Sequence, residues 1–348
     1  MRIRPLLVAL AAGAVSAGCT SERLVSPSTS ARAAQPVRGT AASALANQDD
    51  PPVVSPFLAS LDAQLAAAGS NFRVAKAEFI VDTSNWTGAS QTLIANDRAR
   101  GIGTEWVAGD PRRGGRVGVT YAFDPRQGRE PFTRNPDGSG LRQMPFPELA
   151  PFLEEAISAW PGLSCSSAPI ERVAVPAGVD PDIMDQLVLG SDGGRPYLQV
   201  SDIVEGGWQR ALFFTTIAGG PDGNNIIGVT FTFWYVDGNG VPTDIDHDGK
   251  NDTGLAETYY NTAFAWGNSG ALNVVDFFSI IAHETGHALG LGHFGKVFVT
   301  KHDAGDGIQI ADIKYAPKAL MNAVYVTGRS EITGTDNSSF CQIWASKK

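Results

Sequence analysis

With 348 residues the chain can bury a substantial core in one or two domains, and 43% hydrophobic against 18% charged residues is a globular balance. The formal net charge of −9 argues against nucleic acid and against an anionic membrane surface as partners. The basic run "DPRRGGR" (110–116) is expected as a short exposed loop that needs no ligand.

The first residues speak to compartment. "MRIR" is a charged n-region and "PLLVALAAGAV" an apolar h-region, shorter than the ~20 residues a spanning helix needs. "VSAGC" ends at Cys19 and resembles the cleavage box of bacterial lipoproteins, which implies a signal peptide over 1–18 and lipidation of Cys19; plain secretion with cleavage nearby is the alternative. Thr20 is not aspartate, so an outer-membrane lipoprotein of the cell envelope is expected, with the lipid anchor as its only membrane contact. Residues 19–55, rich in Ser, Thr, Ala and Pro, read as a flexible tether.

Residues 56–111 form either an N-terminal subdomain or a prosegment. "SPFLASLDAQLAAAG" suggests a short helix, and "FRVAKAEFIVDT" and "QTLIANDRARG" suggest strands. The region has no cysteine that could act as a switch on a metal. A cut after it would free the remainder from a lipid anchor, which favours a permanent subdomain.

Residues 112–346 carry the remaining patterns. "GGRVGVTYAFDP" alternates like a first strand. In "FPELAPFLEEAISAW", Leu149, Phe152, Leu153, Ala156, Ile157 and Trp160 mark one helical face. "RPYLQVSDIV", "NNIIGVTFTFWYVDGNG" and "ETYYNTAFAW" are further strand candidates. Strand, helix, strands and a long helix make a mixed α/β class. Cys165 and Cys341 would meet an oxidising compartment, where two thiols often pair; two free buried thiols are the alternative.

"DIDHDGKNDTG" puts Asp244, Asp246, Asp248 and Asp252 at positions 1, 3, 5 and 9 of a calcium-type loop, with Gly249 at 6. Leu255 stands where an EF-hand has its glutamate, and Glu257 follows two residues on. The loop reads as a Ca2+ site or as a solvated acidic turn, with His247 at the surface.

"HETGHALGLGHF" (283–294) gathers three of the five histidines. Four residues apart on a helix, His283 and His287 point one turn apart on the same face, and Glu284 stands one step round. "NVVDFFSIIAHETGHALG" reads as that helix, with Asn273 and Asp276 as an N-cap pair and Gly290 as its stop. A turn at Gly290 would bring His293 back as a third ligand. Three imidazoles with a fourth position open suit catalytic Zn2+, with Glu284 as general base.

His283, Glu284, His287, Gly290 and His293 resemble the signature of metzincin metallopeptidases. "ALMNAVY" fits their methionine turn through Met321, and the segment 257–345 is similar to bacterial matrixin-like proteins. Phe294 replaces the serine usual in matrixins, and no tyrosine lies two residues after Met321. The resemblance implies a zincin-like fold: a twisted mixed sheet, the active-site helix and a smaller C-terminal part. It implies first and last helices close enough for a Cys165–Cys341 bridge, and a strand near Tyr259–Ala263 that would bind extended substrate. It also implies a zinc endopeptidase acting on proteins or peptides. A cell-wall peptide amidase, or a non-catalytic calcium-stabilised surface binding protein, are the rival readings.

Overall fold

A computed structural model describes residues 56–344, apart from 83–91, 95–102, 125–129, 164, 166–168, 191–194, 220, 269–273, 295, 304–308 and 326–329. The signal segment, Cys19 and the tether lie outside the described residues, among which no helix is long and apolar enough to cross a membrane.

The described residues open with α1 (Pro56–Ala67), β1 (Phe72–Asp82), β2 (Thr92–Ile94), β3 (Thr104–Glu105) and β4 (Val119–Phe123). Next come β5 (Phe132–Arg134), β6 (Leu141–Gln143), α2 (Phe146–Ser158), β7 (Ile170–Arg172), α3 (Met184–Leu189), β8 (Ile203–Gln209) and α4 (Ala211–Ala218). The long strands β9 (Ile226–Tyr235) and β10 (Asn251–Asn261) lead through β11 (Ala265–Gly267) and β12 (Val275–Asp276) into α5 (Phe277–Ala288). The hairpin β13 (Lys296–Asp303) and β14 (Gln309–Ala316), then β15 (Val324–Tyr325) and α6 (Gly334–Trp344), complete it.

The architecture is mixed α/β. A sheet of nine strands has the order β15-β1-β9-β10-β8-β4-β7, with β2 on β1 and β3 on β10. The β1–β9 and β9–β10 pairs are antiparallel, while β10–β8, β8–β4, β4–β7 and β1–β15 are parallel.

Period-2 alternation sorts β9 between two cores. Val229, Phe231 and Phe233 pack with Leu58, Leu61 and Leu65 of α1 and Phe213 and Phe214 of α4. Gly228, Thr230 and Thr232 alternate with them onto the other face; the alternation breaks at the register shift between Gly228 and Ile226, where Ile227 joins the core built by α2, α5 and α6 and Ile226 the core with α1. There Leu149, Leu153, Ala156, Ile157 and Trp160 are buried, as the helical spacing requires, and Phe152 stacks on Phe277. Cys165 is bonded to Cys341 with Cα atoms 5.5 Å apart, tying the chain beyond α2 to α6.

Several expectations need correction. Within the segment 56–111, β1 pairs with β9 from Phe72 to Val81, inside the nine-stranded sheet, and residues 83–91 and 95–102 lie outside the described residues. The strand expected in "RPYLQVSDIV" begins only at Ile203. The strand around Tyr259 cannot take an added substrate strand, because β10 is paired with β9 on one side and β8 on the other. Arg113 is no loop decoration. It is buried, donates to the carbonyls of Val107 and Gly118, and forms a bidentate pair with buried Asp202.

Candidate metal centre

Helix α5 starts where Asp276 accepts the amide of Ser279 at 2.8 Å, so Asp276 is the N-cap itself; Asn273, its expected partner, lies outside the described residues. The helix ends as the glycine predicts. Gly290 has φ +97°, its N–H donates to the His287 carbonyl, and the Leu291 N–H donates to the Gly286 carbonyl. Three indoles satisfy carbonyls along α5 and at its end: Trp160 on Ala282, Trp106 on Ala288 and Trp344 on Leu289. The chain then reverses. Phe294 donates its N–H to the Met321 carbonyl at 2.9 Å, which holds His293 against the first two histidines.

The three rings converge. Nε2 of His287 lies 3.0 Å from Nε2 of His283 and 3.1 Å from Nε2 of His293. Nδ1 of His283 donates to the Leu320 carbonyl and Nδ1 of His287 to the Leu291 carbonyl, each at 2.8 Å. That commitment leaves Nε2 with its lone pair. Burial and the neighbouring imidazoles push His283 well below the ordinary histidine range and His293 down to about 3, so both stay neutral. Lone pairs held this close repel one another unless a cation lies between them. Zn–N bonds of about 2.0–2.1 Å in a tetrahedron would set the nitrogens about 3.3 Å apart, close to the observed spacing. The donor set therefore fits zinc.

Met321 lies beneath the helix, fully buried. A Cβ on Gly286 would stand 2.5 Å from its sulfur and 2.9 Å from the Trp160 ring, so only glycine between the two histidines admits this packing. The turn is pinned by Asp336 of α6, whose carboxylate accepts the amides of Leu320 at 2.9 Å and Met321 at 3.1 Å.

Glu284 faces the sheet. Its Oε2 accepts from Thr230 Oγ1 at 2.6 Å, while Oε1 has no hydrogen-bond partner among the described residues. A Cβ on Gly228 would come within 2.7 Å of Oε1, so the missing side chain makes room for the carboxylate. Burial pushes this carboxyl well above its usual range, against the pull of the Thr230 hydroxyl. Periodicity could not reveal Thr230, Gly228 or Asp336, since each reaches the site only through long-range contacts.

A second surprise comes from β1. Glu78 Oε2 lies 3.1 Å from His287 Nδ1 and 2.7 Å from Lys76 Nζ, and both side chains are buried.

The acidic loop does not gather its four aspartates round one point. Asp244, Asp246 and Asp252 offer oxygens within 4.8 Å of one another, and Asp246 and Asp248 do so with Glu105. Two cations already stand there: Arg112 pairs with Asp252 at 2.6 Å, and Lys250 with Asp248 and Glu105 at 2.5 Å. Glu257 is elsewhere, buried and accepting the amides of Ile183 and Met184. His247 is exposed.

No family model matches the chain, and no curated protein matches it either.

Proposed function

We propose that the chain is a zinc-dependent endopeptidase of metzincin type, exported to the cell envelope, that hydrolyses peptide bonds of proteins. The observation that carries this reading is the convergence of three Nε2 atoms beside a glutamate on the same helix. His283, His287 and His293 would hold zinc through Nε2, with Met321 shaping the floor. Bound zinc supplies a Lewis acid that lowers the pKa of a water and polarises a carbonyl. Glu284 takes the proton of the attacking water on Oε1, the oxygen that Thr230 leaves free, and passes it to the leaving amine nitrogen. Thr230 fixes the carboxylate by holding Oε2. The membrane enters only through the lipid at Cys19, and the substrate is an extended polypeptide.

The test separates chemistry from metal binding. Glu284→Ala and Glu284→Gln should keep zinc and digest an unfolded protein at least ~100-fold more slowly than the parent, the lower range for a lost general base. Near-parental digestion by either variant would refute the assignment of Glu284.

A further inference from the structure

The last helix is a poor helix by sequence. α6 reads "GTDNSSFCQIW" and has eleven residues. Gly, Thr, Asp, Asn and Ser are weak helix formers, and so short a segment is not stable alone in water. Tertiary contacts hold it. Phe340 and Trp344 enter the core, and the Trp344 indole donates to the Leu289 carbonyl at 2.9 Å. The bond from Cys341 to Cys165, 176 residues away in sequence, adds a covalent hold. Cys165 follows α2, which packs on α5 through Phe152 on Phe277 and through the Trp160 indole on the Ala282 carbonyl.

Five residues before Cys341, Asp336 is fully buried. Its carboxylate accepts the amide and the hydroxyl of Thr333, both at 2.7 Å, which caps α6. The same carboxylate accepts the amides of Leu320 and Met321, and the Leu320 carbonyl takes Nδ1 of His283. One carboxylate and one peptide unit therefore separate α6 from the first candidate ligand. These bonds exist only while α6 is docked. Elements near a chain end open at low cost, and the bridge opposes that opening.

The sulfurs are not sealed in the core. Cys165 and Cys341 are both part-exposed, so a reductant in solution reaches them. The Asn337 carboxamide oxygen lies 3.2 Å from Cys341 Sγ and 3.8 Å from Cys165 Sγ. A disulfide sulfur has no hydrogen to give, whereas a thiol does. The oxygen thus accepts from this pair only after reduction, and it favours the reduced form. That placement suits a bond that opens and closes.

We infer that the Cys165–Cys341 bridge is a redox control on metal retention: the oxidised chain holds zinc tightly, and the reduced chain holds it weakly. The inference rests on the zinc reading of the three histidines and needs no hydrolytic step. Opening the bond takes two electrons and two protons. A dithiol supplies both, its own sulfurs pairing as the Cys165–Cys341 bond breaks. Reducing thiol pools keep such bonds open and oxidising compartments keep them closed, so the metal is held firmly only where the bridge persists.

The experiment uses the full chain and measures zinc affinity by chelator competition, at a temperature where every form stays folded. Reduction is by a phosphine, which takes its oxygen from water as the two thiols form, because an added dithiol would itself bind zinc. Reduction should weaken zinc binding by about tenfold, the lower range for groups that orient a ligand from beyond the metal's own shell. Cys165→Ser with Cys341→Ser, which leaves no freed thiols to bind zinc, should match the reduced parent and ignore the phosphine. Asp336→Ala, which lacks the link from α6, should respond little to reduction. Coupling is reciprocal. In poised thiol–disulfide buffers the zinc-loaded protein should therefore have a reduction midpoint about 30 mV more negative than the zinc-free protein, the equivalent of tenfold for two electrons. Equal affinities in the oxidised, reduced and serine forms, with only the melting temperature lowered, would make the bridge a staple and overturn the inference while the zinc reading stands. An undiminished response in Asp336→Ala would overturn the route through α6. If the oxidised parent binds no zinc, the zinc reading fails and takes the inference with it.

Discussion

Nδ1 of His283 donates to the carbonyl of Leu320 at 2.8 Å, so the residue before Met321 sets the orientation of the first candidate ligand. Leu320 is itself held through its amide by Asp336, 2.9 Å away on α6. The last helix thus reaches the metal centre through one peptide unit.

Asp336→Ala should accordingly weaken zinc binding without touching a ligand. Partners beyond the ligands typically cost 10–100-fold in metal affinity when removed, and one further step out the lower end, about tenfold, is expected. Asp336→Asn, which keeps an acceptor oxygen, should lose less. Chelator competition titrations on the three proteins measure this. Equal affinities with a lowered melting temperature would make Asp336 a purely structural residue.

The acidic loop yields to a melting experiment. Asp246 belongs to both carboxylate trios, so it is the residue a bound calcium ion would need most. Millimolar calcium should raise the melting temperature, and saturation at 100 times Kd corresponds to about 2.7 kcal/mol. Asp246→Ala should remove the rise. Lys250→Ala should enlarge it, because Lys250 competes as a cation for Asp248 and Glu105. A parent melting temperature indifferent to calcium would identify a solvated acidic turn.

Glu205 gives a pH signature. Burial raises its carboxyl from 4.5 to about 7, against the hydrogen bonds from Thr258 and Tyr260. Between those values the folded protein keeps a proton that the unfolded chain has released. Each unit of pH rise inside that window therefore costs folding up to about 1.4 kcal/mol, and the full penalty is present above it. Glu205→Gln should flatten the fall in stability between about pH 4.5 and 7 that this carboxyl contributes. Urea unfolding of both proteins at pH 4.5, 5.5, 6.5 and 7.5 reads the difference. Parallel pH profiles would show that Glu205 ionises alike in both states.

What the sequence determined by itself is what local geometry controls. A four-residue helical step put His283 and His287 on one face, and a glycine with positive φ turned the chain so that His293 could join them. The apolar periodicity of α2 declared its buried face, because it depends on the repeat of one element and on nothing beyond it. Cap residues were less legible: Asp276 and Asn273 are both good caps, and only the packed helix selects Asp276.

The tertiary structure alone decided who meets whom across the chain. Lys76 and Glu78 look like the polar face of a half-exposed strand, and nothing nearby in sequence says that both are buried, with Glu78 against a histidine 209 residues away. Thr230 and Gly228 read as ordinary strand residues until α5 is laid across them. The aspartates of the acidic loop have calcium spacing, yet Arg112, some 140 residues from Asp252, takes part of their charge. The physical reason is common to all of these. Periodicity reports which side of an element is buried, whereas the identity of the neighbour on that side is set by strand order and register, which no single element encodes.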